Sequence, residues 1–267
     1  NIDQVKAFCS QGGQASTLSS VIDKIDVVVV VVLNSVQTEE VLFGQEGLVE
    51  NLKPGTVVIS CATVAPTFAI DMEKRCKEFE VFYLDAPISG GALKAKNGQL
   101  SIMASGVKEA FQHARPTLDS ISETVFELGD EAGTGSAMKS VNQLLAGVHI
   151  AVMAEALTFG ISQGISPDKF VEVISKCAGT SWMLENRAPH IVNGDYKPHS
   201  SINIWPKDLG IVLDVALESK FNAPIATAAL EQFRTAVDMG LGFEDDAAVA
   251  KVYAKSANLS LPKKNDV

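Results

Sequence analysis

The stretch "YLDAPISGGALKAKNGQL", residues 83–100, decides the architecture. An apolar run ends in Asp85, Ala86 and Pro87, and Ser89, Gly90 and Gly91 follow at once. A chain that leaves a buried strand and immediately sheds its side chains is making a special turn or leaving room for a ligand. Ligands of open α/β sheets bind beyond the carboxyl ends of the strands. Glycines at such an end expose N–H groups to an anion, and a serine hydroxyl adds a donor. A small molecule with a carboxylate fits that description, and a plain Gly–Gly turn fits the pattern equally well.

On either side of this stretch the chain reads as strands alternating with helices. Residues 25–33 are a continuous valine run, the mark of a strand covered on both faces. Residues 38–50 are helical in part, 57–60 form a strand, and 66–77 a helix with Pro66 at its start. Further strands fall at 81–85, 100–105 and 124–128, with a helix at 108–118. Strand, crossover helix, strand predicts a mostly parallel sheet with helices on its faces. After Gly135 the strands stop. Residues 137–160 form a long helical pattern with Val141, Leu144, Leu145, Val148, Val152 and Ala156 as its apolar positions. Helices at 167–177, 182–192, 207–219, 223–239 and 246–257 follow, and the tail from 262 to 267 is expected to fray. The expected division is a dinucleotide-binding type of domain over 1–133 and an all-helical domain over 134–267.

The totals exclude several classes. A chain of 267 residues, 46% hydrophobic, can build two cores. Its formal net charge is −10 and no Lys/Arg cluster stands out, so nucleic acid is not the partner. The valine run is too short to cross a bilayer, and no signal segment precedes it, so no membrane partner is expected. Four scattered cysteines lack zinc or disulfide spacing and fit a reducing compartment. A cytoplasmic protein is expected, with an organelle as the alternative should a targeting segment lie upstream. The four histidines, His113, His149, His190 and His199, are far apart and imply no metal. There is no Gly-x-Ser-x-Gly elbow and no catalytic cysteine constellation, so acyl transfer has no support.

Two more segments can carry chemistry. In residues 129–147, "GDEAGTGSAMKSVNQLLAG", Gly133 and Gly135 are followed by Met138 where a dinucleotide loop wants a third glycine. The segment reads as a hinge, with Thr134 or Ser136 capping the long helix. Lys139, Asn142 and Gln143 share one face of that helix. Spacing alone leaves a solvated surface lysine as the commoner reading. In "WPKDLGIVLD", residues 205–214, Lys207 and Asp214 lie on one helix face with Ile211 between them, and Asp208 points elsewhere. An amphipathic helix with surface ions accounts for that pattern as well.

Taken together, "DAPISGG", "GTGSAMKSVN" and "KDLGIVLD" resemble, in order and separation, the substrate, catalytic and cofactor-proximal segments of the β-hydroxyacid dehydrogenase family. The likeness runs from Asn1 nearly to Pro262. "LLAGVHIA", "AGTSWMLENR", "NGDY" and "GFEDDAAV" resemble the L-threonate dehydrogenase branch. The resemblance implies a Rossmann-like sheet domain and NAD(P)-dependent oxidation of a small hydroxy acid, with NAD favoured over NADP. It makes Lys139 the catalytic lysine. Ser89, Gly90 and Gly91 would hold the substrate carboxylate with help from Asn142. Leu33, Asn34 and Thr63 would touch the dinucleotide, Lys207 would sit near the nicotinamide, and Asp214 would support its helix. A homodimer or homotetramer is expected from the apolar helices.

One departure from the family pattern stands out. The family opens with a strand and a Gly-x-Gly-x-x-Gly loop, and "NIDQVKAF" resembles the segment after its second strand. The phosphate cradle and the NAD/NADP-selecting residue are therefore expected upstream of Asn1, and the chain by itself is expected to bind cofactor poorly. The competing expectations are a non-catalytic scaffold that keeps the fold, and a reductase of a related oxo acid or, more weakly, an imine. A lysine can accept the hydroxyl proton only if partly neutral, which burial and a neighbouring cation would favour.

Overall fold

The computed structural model describes residues 2–16 and 18–264. The last three residues of the tail expected to fray lie outside them, as does Asn1. Two helices, α1 (Ile2–Ser10) and α2 (Leu18–Val21), lead into β1 (Val27–Val30), α3 (Ser35–Phe43), β2 (Val57–Ser60), α4 (Pro66–Lys77) and β3 (Phe82–Asp85). Then come β4 (Ile88–Ser89), α5 (Gly91–Lys96), β5 (Leu100–Ala104), α6 (Lys108–Ile121) and β6 (Ser122–Glu127).

Strands β1, β2 and β3 pair in parallel in that order, and β5 pairs in parallel with β6. The short β4 runs antiparallel to β5, and an antiparallel bridge from Asp85 to Ser105 joins the two three-stranded groups. The sheet is Rossmann-like and mostly parallel, as the sequence predicts. Its two faces bury alternate residues. Val58 and Tyr83 meet Leu42, Ala69 and Met72, from α3 and α4, on one face. On the other, Val57, Ile59, Leu84 and Ile102 meet Phe111, Ala114 and Leu118 of α6.

The valine run departs from expectation. Its strand is only Val27–Val30, and Val29, Val31 and Leu33 are exposed rather than covered on both faces. The physical reason is position: β1 is the outermost strand of its group, and the α6 side of the core reaches only Val27 on it.

Beyond Gly133 the chain is helical: α7 (Thr134–Ser162), α8 (Pro167–Ile174), α9 (Trp182–Val192), α10 (Ile204–Glu218), α11 (Pro224–Asp238) and α12 (Ala250–Ser256). The helix expected over 246–257 starts as a 3-10 turn, Asp246–Val249, before α12. Helix α7 is apolar and long enough to cross a membrane by length and composition, yet here it is the core helix of the bundle. Its inward face is made of Ala146, Ile150, Ala151, Met153, Ala154 and Leu157. Of the apolar positions singled out on this helix, Val141, Leu145 and Val152 face outward. Small residues let the neighbouring helices approach. A Cβ on Gly147 would come within 3.0 Å of the Trp205 ring of α10.

The bundle is also tied by two buried carboxylates. Asp246 accepts from Arg187 Nε at 2.6 Å and Trp205 Nε1 at 3.0 Å. Asp245 lies 2.8 Å from His190 Nδ1 and accepts from the His199 backbone N–H at 2.9 Å. Two histidines that looked isolated in sequence thus converge, with rings 4.9 Å apart.

Candidate active site

Asp85, the last residue of β3, organises the cleft. Its Oδ2 accepts from the backbone N–H of Gly133 at 2.9 Å and of Ser136 at 2.8 Å, while Oδ1 accepts from Ser136 Oγ at 2.6 Å. The first turn of α7 is thus capped from outside its own sequence. Neither Thr134 nor Ser136 supplies the expected cap: the N-cap position is Gly133, with no side chain to offer. A carboxylate at a helix N-terminus suits both the unpaired N–H groups and the macrodipole. Burial pushes the Asp85 carboxyl above the usual range, and its hydrogen bonds oppose that rise. Gly135 allows the close approach. A Cβ there would sit 2.5 Å from Met103 O and 2.6 Å from Asp85 O.

One turn along α7, Lys139 is only 7% exposed, and its Nζ donates to the carbonyl of Ile88 at 2.9 Å. That carbonyl immediately precedes Ser89. Ser89 of β4 pairs with Ser101 of β5, and Gly90 and Gly91 have φ of +130° and +69°. The bend is a left-handed turn leading into α5, with open space at Gly91 where a side chain would stand. A special turn and room beside it are therefore both present. Burial pulls the Lys139 pKa down to about 8; Asp208 opposes this fall and Lys207 adds to it.

Helix α10 supplies the other wall. Lys207 Nζ donates to Leu33 O at 2.9 Å and Thr63 O at 3.4 Å, at the carboxyl ends of β1 and β2. Asp208, expected to point elsewhere, is 3% exposed and faces the cleft. Its Oδ1 lies 2.6 Å from Lys207 Nζ, an ion pair without hydrogen-bond alignment, and its Oδ2 accepts from Gln143 Nε2. Asp208 points inward because it shares the buried face of α10 with Trp205, Leu209, Val212 and Ala216, at helical spacing. Asn142 Nδ2 in turn donates to Gln143 Oε1 at 2.9 Å.

The structure therefore brings Lys139, Asn142, Gln143, Lys207 and Asp208 together, with Leu33, Thr63 and the Ser-Gly-Gly bend on the opposite wall. Asn34 lies at the rim, where its Oδ1 caps α3 through the Gln37 N–H at 2.9 Å. Asp214 stays outside the cluster; it is exposed and its side chain makes no hydrogen bond or ion pair among the described residues. Asp85 and Asp208 were missed in sequence. The signal for Asp85 was its place at a strand end beside the bend; for Asp208 there was none short of helix phase.

A nicotinamide dinucleotide fits this site. The ends of two parallel strands meet here, Val31, Leu33 and Val36 line an open apolar groove, and Lys207 reaches across from the bundle.

Comparison with known proteins agrees. Residues 1–129 match the model for the NAD binding domain of 6-phosphogluconate dehydrogenase, and 133–253 match that for the NAD-binding region of NADP-dependent 3-hydroxyisobutyrate dehydrogenase. An L-threonate dehydrogenase of Cupriavidus necator is 45% identical over 93% of this chain and 84% of its own length. The chain belongs to the β-hydroxyacid dehydrogenase family, the 3-hydroxyisobutyrate dehydrogenase-like enzymes. An L-threonate dehydrogenase of Escherichia coli is 43% identical over 92% of this chain and 80% of that protein. The solved 3-hydroxyisobutyrate dehydrogenase of Salmonella typhimurium superposes with a TM-score of 0.89 at 38% identity, covering 94% of this chain and 88% of that one. The protein is an NAD(P)-dependent hydroxyacid dehydrogenase with a small hydroxy acid as substrate. Like others of the family it uses a nicotinamide cofactor, and the scaffold alternative gives way to an enzyme.

Proposed function

We propose that this β-hydroxyacid dehydrogenase oxidises L-threonate, or a 2- or 3-hydroxy acid of similar size, to the oxo acid with Lys139 as general acid–base. The observation that carries the reading is the Lys139 amine: buried, near pKa 8, and 2.9 Å from the carbonyl next to Ser89. The hydroxyl of Ser89 and the N–H groups of Gly90 and Gly91 hold the substrate carboxylate, and Asn142 lies beside it. With a pKa of about 8, a useful fraction of Lys139 is neutral near physiological pH and can take the hydroxyl proton. When bound, the nicotinamide supplies the hydride acceptor. In the reverse direction the Lys139 ammonium returns the proton to the alkoxide oxygen.

Leu33, Asn34, Thr63 and Lys207 are the proposed cofactor contacts from this chain, and NAD is the proposed cofactor. In this reading residues 1–133 hold the dinucleotide and 134–267 supply the acid–base lysine. Met138, Leu145, Val152 and Phe159, spaced by seven along α7, form an exposed apolar stripe. The stripe supports a homodimer or homotetramer in which a second copy covers it. Light scattering with a Leu145→Glu variant tests this, since that charge should dissociate the assembly.

A panel of hydroxy acids with NAD and with NADP tests the substrate. L-threonate with NAD should give the highest kcat/KM. A tenfold preference for 3-hydroxyisobutyrate would refute the threonate assignment and leave the dehydrogenase reading standing.

A further inference from the structure

The cleft contains a polar chain with a built-in direction. An ionised carboxylate can only accept hydrogen bonds. Asp208 Oδ2 therefore forces Gln143 to present its NH₂ group, which turns Gln143 Oε1 toward Asn142. Asn142 must answer with Nδ2, leaving its Oδ1 as an acceptor on the free side. At the other oxygen, Asp208 holds Lys207, which ties down the carbonyls of Leu33 and Thr63. One buried charge thereby orients the side chain beside the substrate bend and the lysine beside the strand ends.

We infer that Asp208 is a positioning residue: it fixes the amide directions of Gln143 and Asn142, holds Lys207, and sets its negative charge against the lysines of the cleft. The inference rests on the proposed role of Lys139 and extends it to Asp208 and Gln143, which touch neither substrate nor cofactor in that reading. The need for such a residue follows from electrostatics. Lys139 is desolvated and faces a second cation, Lys207; both effects favour the neutral amine. The charged groups acting on it are Lys207 and Asp208, both from α10, while β4 offers the uncharged carbonyl of Ile88. Asp208 is thus the attractive charge that opposes both effects on this ammonium. A free Asn142 Oδ1 also suits a hydroxyl donor on the substrate, so the same chain favours hydroxylated acids over deoxy analogues.

The test reads the titration of Lys139 without cofactor. The rate of acylation of Lys139 is followed against pH by peptide mass spectrometry, in the wild type and in Asp208→Asn and Lys207→Met. Removing the carboxylate charge should lower the midpoint by about one pH unit, and removing the cation should raise it. The Asp208→Asn midpoint decides the inference, and Lys207→Met checks that acylation responds to a neighbouring charge. A midpoint unchanged in folded Asp208→Asn would overturn the inference. In steady-state assays Gln143→Leu should raise KM for hydroxylated acids several-fold with the pH limb unmoved; an unchanged KM would overturn the amide-orientation part. A wild-type kcat in Lys139→Ala would refute the acid–base reading instead, and is separable from both outcomes.

Discussion

Gly135→Ala tests how the cleft is assembled. In a helix interior, alanine is better than glycine by about 1 kcal/mol, and propensity alone predicts a gain. The structure predicts a loss, because the new Cβ would lie 2.5 Å from Met103 O and 2.6 Å from Asp85 O. Both neighbours are backbone carbonyls of sheet strands and cannot rotate away. Relief requires α7 to retreat, which stretches the bonds from Gly133 and Ser136 to Asp85 and the 3.0 Å bond from Gly135 N–H to Ser105 Oγ. Overpacking of this kind costs about 1–3 kcal/mol, and each weakened hydrogen bond adds about 1. After the propensity gain, a net loss of about 3–5 kcal/mol remains, a melting temperature lower by roughly 6–20 °C. Calorimetry measures it. Gly210→Ala is the contrasting case: mid-helix in α10, it has nothing within 4 Å of a new Cβ. There the melting temperature should rise by roughly 2–4 °C. A Gly135→Ala protein that melts at or above the wild type would refute the packing account of the helix start.

Other consequences follow from the same geometry. Arg187→Met leaves Asp246 buried without its cation and should destabilise the bundle by about 3–5 kcal/mol, read by urea denaturation. Lys139 has a folded pKa of about 8 against an ordinary 10.5, so the unfolded chain binds the extra proton between those values. Stability relative to Lys139→Met should therefore rise with pH from about 8 to about 10.5, by up to about 3 kcal/mol; a flat difference would show that the amine is not desolvated. Ser89→Ala should raise KM for carboxylate substrates about tenfold with kcat little changed, and an unchanged KM would move the carboxylate site elsewhere.

Much of this was legible in sequence because the signals were local. The helix starting at Pro66, the strand at Val57–Ser60 and the helix Trp182–Val192 are set by proline, β-branched runs and a serine cap, each within a few residues. The Ser-Gly-Gly bend stood out by its place after a strand, whereas spacing alone favoured a surface lysine at 139 and only the resemblance singled it out. What was not legible depends on contacts between distant segments. Asp85 caps a helix that begins some fifty residues later, so no neighbour in sequence announces the role. Asp208 faces inward because the buried face of α10 runs through Trp205, Leu209 and Val212, whereas the reading followed the charged Lys207 and Asp214. The valine run looked buried because composition reports hydrophobicity and cannot report that β1 is the outermost strand of its group. On α7 the bulky residues drew attention, while the packed face uses alanine and glycine.

The most direct measurement is single-turnover oxidation of the hydroxy acid by Lys139→Ala beside the wild type. The account predicts a fall in rate of at least a hundredfold, the usual scale of a positioned acid–base group, with substrate affinity held within a small factor. An alanine protein that turns over at close to the wild-type rate would contradict it.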